Sequence, residues 1–115
     1  MDDVRWRFAT PADIPRFFPD ALPFTVKAVV VEVGREPAAM IGLAADGAGG
    51  QCFFSEELPL IEPHRRRVAV IRALQRVMGW VRTSPVPVYS VSDNQPLMER
   101  LGFTQREQGL FIWPT

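Results

Sequence analysis

Three consecutive arginines, Arg65 to Arg67, stand at the start of the longest helical pattern in the sequence. The unpaired N–H groups of a helix N-terminus and the positive end of its dipole attract anions, phosphates above all. Arginines are electrostatically unfavourable at this end of a helix unless an anion is bound there. The stretch 65–71 therefore predicts a phosphate-binding segment, and the alternative is a solvated helix start.

Few other residues in the sequence could take part in catalysis or metal binding. The chain has one histidine, His64, and one cysteine, Cys52, which leaves no histidine–cysteine cluster for a metal ion. His64 precedes the helix and could transfer protons, or lie exposed beside the arginines. Cys52 alternates with apolar residues, so we expect a core thiol rather than a nucleophile. No metal is expected.

The elements that must position these residues follow from hydrophobic periodicity and from turn residues. A strand at Val4–Ala9 precedes a short helix that Thr10 caps and Pro11 opens. Gly34 to Pro37 predicts a turn between two strands, and Gly102 predicts the end of the last helix. The further strands are expected at Thr25–Val33, Ala38–Ala45, Gln51–Leu60, Val86–Val91, Phe103–Arg106 and Leu110–Trp113, and the helices at His64–Arg82 and Gln95–Leu101. This order predicts the α/β (α+β) class, a mixed, mostly antiparallel sheet flanked by helices.

The composition indicates a globular domain and argues against several classes of function. A chain of 115 residues with 47% hydrophobic and 23% charged residues is expected to form a single domain, residues 1–115, around one core. Its formal net charge of zero argues against a nucleic-acid partner. The single cysteine suits a reducing compartment, and neither a signal peptide nor a membrane-spanning run is visible. A cytoplasmic protein is the expectation.

Several motifs resemble the GNAT family of N-acetyltransferases. Arg7 to Asp13 is similar to the family's opening Arg-x-Ala-Thr-x-x-Asp pattern, and Gly42 resembles the glycine of a family strand that ends in Ile-Gly. The stretch 63–74 resembles the family's phosphate-binding segment, and Leu101-Gly102-Phe103 its closing triplet. The element order is also similar, so the resemblance covers most of the chain.

The resemblance implies a function as well as a GNAT-like acyl-CoA N-acyltransferase fold. It implies acetyl-CoA as the cofactor and a small-molecule or peptide amine as the acceptor. It also implies that the strands 51–60 and 86–91 run parallel and splay apart to form the cofactor cleft. The residues implied in cofactor binding are Arg65, Arg66, Arg67, Val68, Ala69, Val70, Ile71 and Asn94.

Glu56 and Glu57 lie near the strand end that would face the acyl group. Acetyl transfer to an amine needs a base, and a glutamate can serve. Because neighbouring strand residues point to opposite faces, only one of the two can face the cleft. The alternative is a pair of surface carboxylates beside arginines.

Three positions depart from the family pattern. Ala69 and Ile71 replace glycines that let the backbone approach the pyrophosphate. Met98 stands where the family often has a tyrosine that protonates the leaving thiolate, and a thioether donates no proton. The alternative function is therefore a catalytically inactive binding or structural module, for example in a virus particle. The tryptophans Trp6, Trp80 and Trp113 suggest core packing or an interface, such as that of a homodimer.

Overall fold

The computed structural model describes residues 3–20, 25–57 and 68–113. The described residues form seven strands: β1 Val4–Phe8, β2 Val26–Val33, β3 Glu36–Ala45, β4 Gln51–Glu57, β5 Val88–Val91, β6 Thr104–Glu107 and β7 Leu110–Trp113. The helices are α1 Ile14–Phe17, α2 Val68–Arg82 and α3 Gln95–Leu101, and a 3₁₀ turn at Pro11–Asp13 leads into α1. The strand order in space is β1-β2-β3-β4-β5-β7-β6.

The expected element order and the mixed α/β class are confirmed. All neighbouring strands are antiparallel except β4 and β5, which are parallel. The expected strand portion 58–60 and helix portion 64–67 lie outside the described residues. The expected turn at Gly34–Pro37 is shorter in the structure, because Gly34 and Arg35 alone take positive φ angles and form a two-residue hairpin. Pro37 belongs to β3 beside an irregularity in the β2–β3 register, where proline is tolerated.

Helices cover both faces of the sheet. Alternate residues of β2 and β3 point to one face, where α2 packs on them and Met98 of α3 joins the same core cluster. The other alternate residues meet α1. The buried residues on the α2 face include Val29, Val31, Ile41, Leu43, Phe53, Ala73, Val77, Val81, Met98 and Phe111. The smaller cluster on the α1 face consists of Phe17, Ala28, Val30 and Met40.

A hydrogen-bonded group of charges ties β1 to the first helical turn. The Arg7 guanidinium donates two hydrogen bonds of 2.8 Å to the two carboxylate oxygens of Asp13. Asp13 also accepts from the Thr10 backbone N–H at 2.7 Å, and Arg7 Nε donates to Glu32 at 3.1 Å. Asp13 is buried, and Arg7 lowers the pKa of its carboxyl to about 2. The Arg-x-Ala-Thr-x-x-Asp pattern is thus explained by one bidentate ion pair.

Two glycines meet specific steric demands. Gly42 lies where β2 and β3 approach closely, since a Cβ there would lie 2.7 Å from the Ala28 Cα. Gly102 ends α3 with φ 102° in the left-handed region, and its N–H bonds back to Glu99. Phe103 N–H then donates to the Met98 carbonyl at 3.0 Å, which completes the helix end.

Candidate active-site cleft

The parallel strands β4 and β5 separate soon after they meet. They pair only at Gln51–Val88 and Cys52–Tyr89, whereas β4 remains paired with β3 along its whole length. The expected parallel, splayed arrangement of these two strands is therefore confirmed for the described residues. A wedge-shaped gap opens between the carboxyl ends of the strands.

Ser90 closes the narrow end of this gap. Its hydroxyl donates a 3.0 Å hydrogen bond to the carbonyl oxygen of Phe53 on β4, and Ser90 is itself buried. A buried carbonyl that loses its ladder partner costs free energy unless another donor replaces it. Ser90 supplies that donor, so the strands can part without an unsatisfied Phe53 carbonyl.

Beyond this bridge lies a cleft of about 250 Å³. Aromatic and aliphatic side chains form much of its wall, with hydroxyl groups and one carboxylate at its margin. The residues that line it are Cys52, Phe53, Phe54, Ser55, Glu56, Ser90, Val91, Ser92, Leu97 and Met98. The cleft combines an apolar interior with few polar groups, as small-molecule sites usually do.

Glu56 and Glu57 are separated by the strand alternation that the sequence predicts. Glu56 lines the cleft and lies opposite Met40 in the register with β3. Glu57 lies opposite Ala39, so its side chain leaves the strand on the other face. Both residues are exposed, and of the two only Glu56 has a place on the cleft wall.

The residues implied in phosphate binding lie partly within the described chain. Arg65, Arg66 and Arg67 lie outside it, whereas residues 68–71 are the first described residues of α2. Ile71 is 47% exposed, so its side chain is not buried against the sheet. Ala69 and Val70 are half-buried.

Asn94 caps α3. Its side-chain oxygen accepts a 3.2 Å hydrogen bond from the Leu97 N–H, and its own N–H donates to the Ser92 hydroxyl at 3.0 Å. The cap fixes the start of the helix that carries Leu97 and Met98 into the cleft. Asn94 does not line the cleft itself, so its evident role is to position α3.

Met98 is 2% exposed and packs in the core beside the cleft. Cys52 differs from the expected core thiol, because it is only half-buried and also lines the cleft. Desolvation raises the pKa of the Cys52 thiol, and the nearby Asp46 adds to the shift. The thiol therefore stays protonated at neutral pH, which argues against a nucleophile.

Sequence reasoning missed the role of Ser90. The residue was visible as a small polar group between Tyr89 and Val91 in a strand, but its partner, Phe53, lies 37 positions away in sequence. The three tryptophans are half-buried against the core. Among the described residues, no group of three or more His, Cys, Asp or Glu side chains could hold a metal ion. None of the described helices has the length and apolar content to span a membrane.

Comparison with solved structures shows the fold. The chain is similar to the crystal structure of a GNAT family acetyltransferase from Brucella melitensis in complex with acetyl-CoA. The match covers 96% of this chain and 86% of that one, with a TM-score of 0.59 and 16% sequence identity. No protein-family model matches the sequence, and no curated protein matches it significantly. At this identity the likeness establishes a GNAT-like α/β fold.

Proposed function

We propose that this chain is an N-acetyltransferase that transfers the acetyl group of acetyl-CoA to an amine acceptor. The observation that carries the proposal is the cleft between β4 and β5, with Glu56 on its wall. The solved structure with the same fold is a complex with acetyl-CoA, which supports the same ligand class for this chain. The acceptor is a small-molecule or peptide amine.

The described residues fit this cofactor in two places. The apolar walls of the cleft, formed by Phe54, Leu97 and Met98, suit the narrow arm that carries the thioester. The start of α2 at residues 68–71, together with Arg65, Arg66 and Arg67, is the segment proposed for the pyrophosphate. The Ile71 side chain is 47% exposed where the family pattern has a glycine, so the pyrophosphate has to lie beside this side chain.

Within this proposal the chain supplies a base and a polarising group. When bound, acetyl-CoA supplies an activated acyl group as a thioester. Glu56 accepts a proton from the acceptor amine, which frees the nitrogen lone pair for attack. Backbone N–H groups of β4 beyond Phe53, no longer paired with β5, stabilise the negative charge that develops on the acyl oxygen.

The cleft has few groups that could protonate the departing thiolate. Met98 cannot donate a proton, and the Ser90 hydroxyl is already donated to Phe53. Ser55, Ser92 and the protonated Cys52 are the remaining side-chain donors on the described cleft wall. This composition favours a second candidate, a module that binds CoA without turnover.

An assay of thiol release separates the two candidates. The purified chain is incubated with acetyl-CoA and a panel of polyamines, amino sugars and lysine-containing peptides, and free CoA thiol is measured over time. The proposal predicts acceptor-dependent thiol release. Binding of acetyl-CoA without release for any acceptor would favour the inactive module, and absence of binding would leave only the fold in common.

A further inference from the structure

Among the described residues, the outer strand β1 has no strand partner on one of its two edges. It pairs with β2 on one side and stands at the end of the strand order. The Ala9 N–H donates to the Ala28 carbonyl, and the Asp3 carbonyl accepts from the Gly34 N–H. Since hydrogen bonding alternates along a strand, the odd-numbered residues pair inward. The backbone groups of Val4, Trp6 and Phe8 therefore point outward, away from β2.

A groove runs along this edge, between β1 and α2. It has a volume of about 350 Å³ and is lined by Val4, Arg5, Trp6, Val68, Ala69 and Arg72. Val68 on the groove wall is 61% exposed, and Phe8 at the end of β1 is 53% exposed. Val4, Trp6 and Phe8 lie opposite Val33, Val31 and Val29 of β2, which belong to the core cluster under α2. The side chains of these three β1 residues therefore point to the α2 face.

Positive charges also lie beside Phe8, at the end of β1 next to the groove. The Phe8 ring stacks on Trp80 with centroids 6.2 Å apart, and the Arg76 guanidinium lies 5.6 Å from the Phe8 centroid. The Lys27 ammonium lies 4.6 Å from the Trp80 ring. Among the described residues, no carboxylate pairs with Lys27, Arg72 or Arg76 within 4.0 Å, whereas Glu32 and Asp13 are already paired on the opposite face of the sheet.

We propose that β1 is a docking edge for an extended acidic peptide segment of a partner protein, which adds a strand to the sheet. The backbone of that segment pairs with the outward N–H and C=O groups of Val4, Trp6 and Phe8. Residues directly opposite each other in a sheet share a face. The partner residues opposite Trp6 and Phe8 therefore lie on the α2 face of the sheet, where carboxylates meet Arg72 on the groove wall and Arg76 beside the Phe8 ring.

The cations beside β1 favour an acidic peptide over two other possible partners, a second copy of the chain and a single-stranded nucleic acid. A second copy of the chain, paired β1 to β1, would bring the cations of two grooves together, and like charges across an interface oppose association. A single-stranded nucleic acid could stack on the aromatic rings, but it offers no strand backbone to the open edge. An acidic peptide offers partners both to the outward backbone groups and to the cations that have no carboxylate partner among the described residues.

The test uses a fluorescein-labelled peptide of alternating glutamate and valine. Its controls are the corresponding lysine–valine peptide, the glutamate–valine peptide N-methylated at alternate residues, and an oligo-dT strand. Fluorescence anisotropy should show saturable binding of the glutamate–valine peptide and much weaker binding of the controls. Hydrogen exchange at the Trp6 and Phe8 amides should slow when this peptide is added, because those amides gain acceptors.

Charge reversal on the protein localises the effect. The double variant R72E/R76E should weaken binding by roughly tenfold or more, the scale expected for lost charge complementarity. Arg82→Glu is the control. It reverses one charge on the same helix at a residue that neither lines the groove nor is recorded against the Phe8 ring, and it should leave the affinity unchanged. Both variants replace exposed residues, so their melting curves should match the wild type.

Four results would overturn the proposal. These are no saturable binding of the glutamate–valine peptide, equal binding of the lysine–valine peptide, unchanged exchange at Trp6 and Phe8, and tighter binding of oligo-dT. Concentration-dependent dimerisation that Trp6→Lys abolishes would assign the edge to a second copy instead. Each readout is independent of acetyl transfer.

Discussion

The Ser90 hydroxyl donates a 3.0 Å hydrogen bond to the Phe53 carbonyl, and this bond joins β4 and β5 where their ladder ends. It is a side-chain substitute for a missing backbone hydrogen bond, placed at the closed end of the candidate cleft. The width of the cleft at this point therefore depends on one buried serine.

Replacing Ser90 with alanine should destabilise the fold by about 1–3 kcal/mol, because the buried Phe53 carbonyl would lose its donor. Chemical denaturation measures this change in the free energy of unfolding. Ser55→Ala removes the same hydroxyl from an exposed position on β4 and should change stability by less than about 0.5 kcal/mol. Equal effects of the two substitutions would show that the Ser90 bond contributes little.

The ion pair between Arg7 and Asp13 makes the stability of the fold depend on pH. The folded-state pKa of Asp13 is about 2, compared with 3.8 for an unperturbed aspartate. A depressed carboxyl pKa adds stability that is complete above the unfolded-state value and is lost as the pH falls toward the folded-state value. The shift corresponds to roughly 2 kcal/mol, lost between about pH 4 and pH 2.

Asp13→Asn should remove most of this contribution at neutral pH and flatten the stability profile in that acidic window. Urea unfolding at a series of pH values measures both effects. Glu36→Gln is the control, because Glu36 pairs with Arg16 at 3.6 Å on the surface, where ion pairs contribute little. If the asparagine variant keeps the full acid dependence of the wild type, Asp13 is not its source.

Glu56→Gln should lower the rate of acetyl transfer by about 10²–10⁴, the range for loss of a general base. Glu57→Gln is the matched control on the neighbouring position and should retain the wild-type rate, because its side chain points to the other face. The kcat of both variants is measured with the acceptor that gives the highest thiol release. A larger loss with Glu57→Gln would reverse the assignment.

Met98→Tyr should raise kcat by roughly tenfold or more, because a phenol on the cleft wall can donate a proton to the leaving thiolate. The larger side chain has an overpacking cost of about 1–3 kcal/mol in this buried position, so the melting temperature should fall. Met98→Leu keeps the site apolar and should leave kcat unchanged. No gain with tyrosine would mean that thiolate protonation does not limit turnover.

Local signals made most of the fold predictable from the sequence. Thr10, Pro11 and Asp13 marked the first helical turn, Gly102 marked the end of α3, and the β-branched run in 26–33 marked a central strand. The cleft was predictable only through resemblance to a family, because the separation of β4 from β5 depends on partners far apart in sequence. The Ser90–Phe53 bond and the groove beside β1 follow from that packing, which residue patterns alone do not encode.

The central claim is that the cleft between β4 and β5 binds acetyl-CoA, and calorimetric titration of three proteins tests it most directly. Ser55→Trp places an indole in the cleft, whereas Thr104→Trp places one on the exposed outer strand β6. The account predicts that the wild type and Thr104→Trp bind acetyl-CoA equally, and that Ser55→Trp binds it at least roughly tenfold more weakly. Wild-type affinity in Ser55→Trp, or no binding by any of the three, would contradict it.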